Sequence, residues 1–538
     1  MPRCAQISAV ALACALASCS TASPPAPDVD PGMFAGPDLV NPLRGQYENL
    51  LTPLFPQADS AHQKYPSWPG TNDVSARIEW RSLQPRDPRT LPPNAADEQK
   101  FDFAALDDAI DTAARSGRRF GFRITSFNSC CETSYPNNVD VSVPDWLSTV
   151  TDATRQYVHD GVTYVIPDWN NSAYLSYFSE LLAALGRRYD RDERVALFEV
   201  SGYGDFSENH VTFLRDTLGV PGPAPEQSES ELGYYSQYRD QSITKQSIAL
   251  LVTANLAAFP NTQLISTLGN PELVRHLFRD SPLLRYRRKP VGIRADGLGV
   301  YRPIPTWAED KYSRYVQTSD PIVHTVAVRY RIAPIVTEWM PQVPPHVTPT
   351  DYYIKGLTDV VNDHVSMTAS TGFPGQTSGQ TMSPEDFKIW ARANEFSGYR
   401  YAVESDGSPA PVPLGASARI PLRWTNFGPA PLYENWQPEF DIVSATGTVL
   451  KTLPGKDLHG LVADQRFDDP RDLPASTSMT EVLTVDGLPR GTYSVRVRVV
   501  WREHKPNASH VMNYPPMQLA QPGRAPDGSY PITDFTVD

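Results

Sequence analysis

Strand-like and helix-like patterns of apolar residues alternate along residues 38–396. Short runs such as Val195–Val200 predict buried strands, whereas longer segments repeat their apolar residues at helical spacing. We predict eight strands, most of them followed by a helix, at 44–50, 75–80, 119–124, 195–200, 262–266, 291–295, 333–337 and 364–367. This alternation favours an α/β fold, a (β/α)8 TIM barrel, over an open doubly wound sheet, which more often begins with a glycine-rich turn.

The helices are clearest where apolar residues repeat every three or four positions. Residues 174–185 carry such a face, and Gly186 is predicted to end this helix, because glycine is common just after helix C-termini. Other helices are predicted around 103–113, 243–258 and 383–393.

The apolar period changes to two near residue 397. Ile420, Leu422 and Trp424 alternate with other residues, and 493–499 alternates in the same way after a glycine- and proline-containing turn. The pattern predicts a C-terminal antiparallel β-sandwich.

The first residues have the pattern of an export signal. Arg3 precedes an apolar run from Ala5 to Ala17, which is too short for a membrane span of about 20 residues. The run ends in Leu16-Ala-Ser-Cys19, which resembles a bacterial lipobox whose cysteine becomes lipidated. The alternative is an ordinary signal peptide cleaved after a small residue.

These patterns divide the chain into four segments. We expect a lipoprotein signal peptide with its lipobox at 1–19, a flexible linker at 20–37, a TIM barrel at 38–396 and a β-sandwich domain at 397–538. The protein is therefore expected to be exported and lipid-anchored to the cell envelope, facing outside the cytoplasm. The lipid anchor is its only expected membrane contact.

Charge and missing motifs exclude several classes of function. Lys and Arg number 48 against 61 Asp and Glu, so the net charge of −13 argues against a nucleic-acid partner. The sequence has no Gly-x-Ser-x-Gly, phosphate-loop, dinucleotide-binding or His-Glu-x-x-His motif. These absences argue against acyl-transfer, kinase, dehydrogenase and metalloprotease functions. We predict no cofactor and no metal.

Few cysteines remain after the predicted cleavage. Once Cys19 carries a lipid, the only intramolecular disulfide available is between the adjacent Cys130 and Cys131. Two free thiols in a buried loop are the alternative.

Two glutamates follow predicted strands at positions where a barrel carries its chemistry. Glu208 lies in Gly202-Tyr-Gly-Asp-Phe-Ser-Glu208 after the fourth strand, and Glu338 ends the seventh strand beside Trp339. Because active sites of such barrels lie at the carboxyl ends of the strands, both side chains are expected at one mouth. A pair of carboxyls suits glycoside hydrolysis, where one protonates the leaving oxygen and the other attacks or activates water. Either glutamate could instead cap a helix or join an ion pair.

Other polar and aromatic residues lie at or just beyond the predicted strands. Glu199 and Asp205 are rivals for the role of Glu208. Charged candidates for orienting substrate, or for an internal ion-pair network, are Arg77, Glu79, Arg123, Arg294 and Asp296. Aromatic candidates for stacking on a sugar ring, or for ordinary core packing, are Trp80, Trp146, Trp169, Tyr203 and Trp339.

Several motifs in the same order carry a family resemblance. They are Asn41-Pro-Leu-Arg-Gly45, Arg77-Ile-Glu-Trp80, Val143-Pro-Asp-Trp146, Gly202–Glu208, Ala393–Tyr399 and Trp424–Tyr433. Residues 40–538 resemble exported bacterial proteins that have a glycosidase-like barrel and a β-sandwich tail, mostly of unassigned function and distantly similar to β-galactosidase-type barrels. That group has Gly-x-Trp-Gly-Glu-Trp-His after the fourth strand. Glu208 and His210 match that loop, whereas Phe206, Ser207 and Asn209 depart from it. The resemblance implies that His210 also contacts substrate.

The sequence thus predicts a surface-tethered glycoside hydrolase acting on a polysaccharide or oligosaccharide. Glu208 is expected as general acid/base and Glu338 as nucleophile or base, with retention of configuration favoured over inversion. The alternative is a non-catalytic glycan-binding lipoprotein.

Overall fold

The computed structural model describes residues 38–49, 70–129, 138–211, 213–214, 217–219, 243–304, 320–340, 343, 346–371, 383–463 and 476–538. The predicted signal peptide, Cys19 and the linker lie outside the described residues, as do Cys130 and Cys131.

Eight parallel strands close into a barrel, as the alternating pattern predicts. In chain order they are β1 (Gly45–Asn49), β2 (Thr71–Glu79), β3 (Arg119–Thr125), β7 (Val195–Glu199), β8 (Gln263–Thr267), β9 (Gly292–Leu298), β10 (Ile335–Trp339) and β11 (Met367–Ala369). Each strand pairs with its neighbour in this order, and β1 closes the barrel against β11. The last strand begins at Met367 rather than at the predicted His364, because His364 has a left-handed backbone (φ 56°) that an extended strand does not accommodate.

Helices surround this barrel, and several of them begin with a side-chain cap. They are α1 (Trp80–Leu83), α2 (Asp97–Lys100), α3 (Ala104–Arg115), α4 (Ser172–Tyr189), α5 (Lys245–Ala258), α6 (Pro271–Arg275), α7 (Pro321–Ala327), α8 (Pro349–Asn362) and α9 (Pro384–Phe396). Asn171, Thr244, Thr348 and Ser383 each accept a backbone N–H bond in the first turn of α4, α5, α8 and α9.

Gly186 does not end α4, contrary to the sequence prediction. The helix continues to Tyr189, and Gly186 lies against α5, where a Cβ atom would stand 2.2 Å from the carbonyl oxygen of Ala258. This glycine is therefore a point of close helix approach, for which only a residue without a side chain leaves room.

A small sheet that the periodicity did not predict lies between β3 and β7. It consists of β4 (Val139–Val141), β5 (Thr154–His159) and β6 (Val162–Pro167), in the order β4-β6-β5. Asp160 and Gly161, with φ of 48° and 77°, form the two-residue turn of the β5–β6 hairpin. This Asp-Gly pair is the sequence signal for the hairpin.

Two antiparallel sheets form the C-terminal sandwich, as predicted. One has the order β12 (Tyr401–Ser405), β13 (Ala418–Asn426), β16 (Thr477–Val485), and the other β15 (Val449–Pro454), β14 (Trp436–Ser444), β17 (Gly491–Trp501), β18 (Tyr530–Val537). Inward residues such as Trp424, Phe440 and Val497 are fully buried and form the core between the sheets.

The sandwich contacts the barrel at the amino ends of the strands. Arg119, the first residue of β3, donates two hydrogen bonds to Glu434 at 2.7 and 3.1 Å. Lys505 reaches the carbonyl oxygen of Val195, the first residue of β7, at 3.1 Å. These contacts lie at the end opposite to the carboxyl ends of the strands, so they leave the predicted catalytic mouth open.

Within the described part of the chain, we find no helix that combines the length and apolar character needed to cross a membrane.

Candidate functional site

A layer of charged side chains fills the barrel at the carboxyl ends of its strands. Arg77 and Arg123 are register partners on β2 and β3, and the pairing of Phe122 with Phe198 places Arg123 beside Glu199 on β7. Below this layer the barrel interior is apolar, with Tyr47, Leu197, Ile265, Val336 and Met367 in contact. The charged side chains therefore lie against an apolar layer of the barrel interior, where electrostatic interactions are strong.

Glu338 is the penultimate residue of β10 and is held by two arginines. Arg294 on β9 forms an ion pair with its Oε2, and Arg77 Nη2 lies 3.3 Å from its Oε1. Only 4% of the Glu338 side chain is exposed. Both carboxylate oxygens thus have charge-assisted partners.

Glu208 lies on the loop after β7 and is held from two sides. Arg123 Nη2 donates to its Oε1 at 2.5 Å, and His210 Nε2 lies 3.4 Å from its Oε2. Arg123 Nη1 also donates to Glu199 at 2.9 Å, and Glu199 lies 3.5 Å from Arg294 Nε. A continuous series of ion pairs therefore connects Glu208 to Glu338 across the barrel.

The loop that carries Glu208 has a strained backbone. Phe206, Ser207 and Asn209 all have left-handed conformations, with φ of 53°, 61° and 61°. A Cβ atom at Gly204 would lie 2.5 Å from the carbonyl oxygen of His210, so the turn requires glycine there. Such strain persists only where surrounding contacts enforce it, and it is common at functional sites.

Neighbouring strands provide those contacts. Ser207 Oγ donates to the carbonyl oxygen of Ile124 at 2.6 Å, and Phe206 N donates to that of Phe127 at 2.9 Å. Thr267 Oγ1 donates to the carbonyl oxygen of Glu208 at 2.6 Å. The loop is thus fixed to β3 and β8, and the Glu208 carboxyl is held in one place.

The charges around Glu208 set its ionisation. Burial raises the pKa of Glu208, but Arg123, the hydrogen bond from His210 and the charge of Arg77 outweigh burial and hold it well below its usual value. Burial lowers the pKa of His210, but the hydrogen bond and charge of Glu208 outweigh it and raise that pKa. Glu208 is therefore a carboxylate at neutral pH.

Asp296, near the end of β9, has the opposite ionisation. Burial among the groups at the mouth, followed by the negative charges of Glu208 and Glu338, raises the pKa of Asp296 to about 8. Its side chain nevertheless retains 42% of its accessible surface, because the carboxyl borders an open cleft. Arg294 Nη2 lies 3.6 Å away and opposes the shift.

A cleft of about 450 Å³ opens above Glu208 and Asp296. The described residues that line it are Glu208, His210, Thr267, Leu268, Gly269, Arg294, Ala295, Asp296, Val300, Tyr301, Arg302 and Pro303. Glu338 is not among them and lies beneath Arg294. Tyr301 is 61% exposed, and the sequence analysis did not predict it as a site residue. Glycines at 297 and 299 precede it, just as glycines at 202 and 204 precede Glu208.

The remaining charged candidates lie outside this cleft. Glu199 points into the barrel and pairs with Arg123 and Arg294. Asp205 accepts hydrogen bonds from Ser129, and burial raises its pKa to about 6. Glu79 accepts a bond from Ser142 Oγ at 3.4 Å. These carboxyls therefore form contacts within the protein around the site and do not line the cleft.

The predicted aromatic sugar platforms are core residues, which corrects the sequence prediction. Trp80, Trp146, Tyr203 and Trp339 are between 0% and 6% exposed. Trp80 packs edge-on against Trp146, Tyr203 against Trp169, and Trp339 against the ring of Tyr352. Their ring faces are covered by protein, so none of them offers a surface to a sugar.

Among the described residues, no three His, Cys, Asp or Glu side chains converge in an arrangement that could hold a metal ion.

Comparisons with known proteins show a similarity of fold only. No protein-family model and no curated protein matches this sequence. Endo-glycoceramidase II from Rhodococcus sp., solved as its lactosyl-enzyme intermediate, is 13% identical over 84% of this chain and 100% of that chain, with a TM-score of 0.39. The endo-beta-1,4-mannanase from Thermotoga petrophila is 10% identical over 85% and 95%, with a TM-score of 0.33. A bacterial fucosidase solved with an inhibitor is 11% identical over 78% of each chain, with a TM-score of 0.26. These neighbours are glycoside hydrolases, but likeness at this level does not carry an activity over to this chain.

Proposed function

We propose that this protein hydrolyses O-glycosidic bonds in an oligosaccharide or polysaccharide, with Glu208 and Glu338 as essential carboxylates. The observation that carries the proposal is their arrangement around one barrel mouth. Glu208 borders the cleft, Glu338 lies beneath it, and Arg123, Glu199 and Arg294 connect them. Glycoside hydrolysis needs carboxyl groups in different protonation states, and the opposite shifts of Glu208 and Asp296 meet that need.

The test is release of reducing ends from a panel of cell-wall and capsular glycans by the purified full chain. Glu208→Gln and Glu338→Gln are each expected to reduce release by about 100-fold or more, because each change removes a negative charge from the reacting centre. Glu404→Gln is the matched control, since the Glu404 side chain is 68% exposed on the sandwich strand β12. Full activity in both site variants would contradict the proposal.

A glycan-binding protein without turnover is the second candidate. It is favoured by the two arginines that occupy both oxygens of Glu338 and by the position of Glu338 beneath the cleft. Saturable binding on a glycan array, with no reducing ends released by the parent on prolonged incubation, would select this function.

We also propose that the protein acts outside the cytoplasm as a lipid-anchored protein. This proposal rests on the residues from Arg3 to Cys19, which lie outside the described part of the chain. A clickable fatty-acid analogue should label the wild-type chain and leave Cys19→Ala unlabelled. Equal labelling of both chains, or recovery of both in the cytoplasmic fraction, would contradict it.

A further inference from the structure

Asp296 is more accessible than the three glutamates of the ion-pair layer at the barrel mouth. Its side chain is 42% exposed, compared with 3% for Glu208, 4% for Glu338 and 11% for Glu199. It also lines the cleft together with Glu208. A ligand entering the cleft therefore meets Asp296 before it meets the deeper carboxyls.

Asp296 and Glu208 line the same cleft, where the negative charge of each disfavours the charge of the other. The 2.5 Å contact with Arg123 stabilises the charge of Glu208, whereas Arg294 is already engaged by Glu338 and lies 3.6 Å from Asp296. The proton is thus held on Asp296, the carboxyl that faces the cleft.

The charge balance of the layer supports this placement. Three arginines, Arg77, Arg123 and Arg294, face Glu199, Glu208 and Glu338, so these six groups are neutral together. Among the described residues, a fourth carboxylate at the edge of this layer has to share Arg294 with Glu338. The charged groups around Asp296 are Arg294 on its own strand, Glu338 on β10, Glu208 and His210 on the loop after β7, and Arg302, which lines the same cleft and pairs with Asp363 at 3.3 Å.

We infer that Asp296 is the general acid of this site, donating its proton to the leaving glycosidic oxygen. This inference rests on the proposed glycosidase function. As the anomeric C–O bond breaks, the oxygen keeps the bonding electron pair and takes the proton from Asp296, so that the leaving group departs as a neutral alcohol. Water supplies the new oxygen at the anomeric carbon and returns one proton to Asp296, which closes the cycle.

The assignment predicts a dependence on the leaving group. Asp296→Asn should lower hydrolysis of phenyl glycosides of the sugar released in the glycan screen by about 100-fold or more, since a poor leaving group needs the acid. Hydrolysis of the 2,4-dinitrophenyl glycosides of the same sugar needs no acid, so its rate should fall by less than about tenfold. This retained rate also shows that the variant is folded. The high-pH limb of kcat/KM in the parent should be absent in the variant.

Glu208→Gln is the matched comparison, because the sequence alone assigns the acid role to Glu208. The inference is supported if Asp296→Asn loses rate only on glycosides with poor leaving groups while Glu208→Gln shows no such dependence on the leaving group. The reverse result overturns it.

An infrared measurement separates this inference from the proposed function. The parent at pH 7 should show a protonated-carboxyl C=O band that is missing from Asp296→Asn. If the band is absent, the inference is overturned even where glycans are cleaved. If the band is present and no glycan is cleaved, the proposed function fails and the placement of the proton is supported.

Discussion

Glu208 and Asp296 show how two carboxyls that line one cleft acquire different ionisation states. Arg123 contacts Glu208 directly, while Asp296 has only the more distant Arg294, whose guanidinium already pairs with Glu338. Because each charge disfavours the other in a region of low dielectric, one group stays ionised and the other retains its proton. The chemical difference between them therefore arises from their neighbours.

Tyr301 gives a prediction about substrate affinity. Its ring is exposed at the edge of the cleft, where an apolar face can stack on a sugar. Tyr301→Ala should raise KM several-fold while leaving kcat nearly unchanged, because stacking binds ground state and transition state alike. Tyr301→Phe should retain the parent KM, since the ring is kept.

The control for this variant is Tyr286→Ala. Tyr286 is 63% exposed, close to the 61% of Tyr301, but it does not line the cleft. Steady-state kinetics on the glycan found in the screen would test the pair. An equal change of KM in both alanine variants would contradict a specific role for Tyr301.

At the scale of elements, Glu338 depends on how α8 packs against β10. The Trp339 ring lies against Gly356 of α8, and its Nε1 donates to Asn394 Oδ1 of α9 at 3.1 Å. Because Glu338 and Trp339 are adjacent on one strand, the buried tryptophan fixes the strand end that presents the carboxylate to its arginines.

Gly356→Ala should disturb this arrangement. The new Cβ would stand 2.2 Å from Trp339 Cζ3, and relieving such overpacking usually costs about 1–3 kcal/mol. We expect a lower free energy of unfolding in denaturant titrations, together with reduced turnover. Gly460→Ala is the control, because no atom lies within 4 Å of its added Cβ. Equal stability of both variants would contradict this packing.

At the scale of the whole molecule, the described contacts of the sandwich lie at the amino ends of the barrel strands, opposite their carboxyl ends. Lys505 shows how closely the two units interact. Its Nζ donates to the carbonyl oxygen of Asp192 at 2.8 Å and to Thr262 Oγ1 at 2.7 Å, both on the barrel. Through these contacts the sandwich braces the amino ends of the barrel strands.

Lys505 makes stability depend on pH. Burial lowers the pKa of Lys505 from 10.5 to about 7, with Asp190 opposing the shift. The unfolded chain keeps this proton up to the higher pKa, so it binds more protons than the native state between these values. The contribution of Lys505 to the free energy of unfolding therefore rises as the pH increases from about 7 to 10.5.

Lys505→Met should remove this contribution. Between pH 7.5 and 9.5 we expect a smaller upward slope of the free energy of unfolding in the variant than in the parent, because methionine does not titrate. Denaturant titrations at a series of pH values would measure both slopes. Identical slopes would show that Lys505 keeps an ordinary pKa.

The sequence by itself determined the barrel, the sandwich and the positions of the two glutamates along the chain. Hydrophobic periodicity is a local property, and strand ends such as Glu338 follow directly from it. The Asp-Gly turn of the β5–β6 hairpin was also present in the sequence, although the periodicity alone did not lead to it.

Only the tertiary structure decided which of these residues share a site and in what charge state. Arg77 and Glu338 are 261 positions apart, and Arg123 and Glu208 are 85 apart, so no local pattern relates them. The same packing buried Trp80 and Trp339 in the core and left Tyr301 exposed at the cleft. Burial and the distance between charges are set by contacts between remote segments, and these quantities determine which carboxyl can hold a proton.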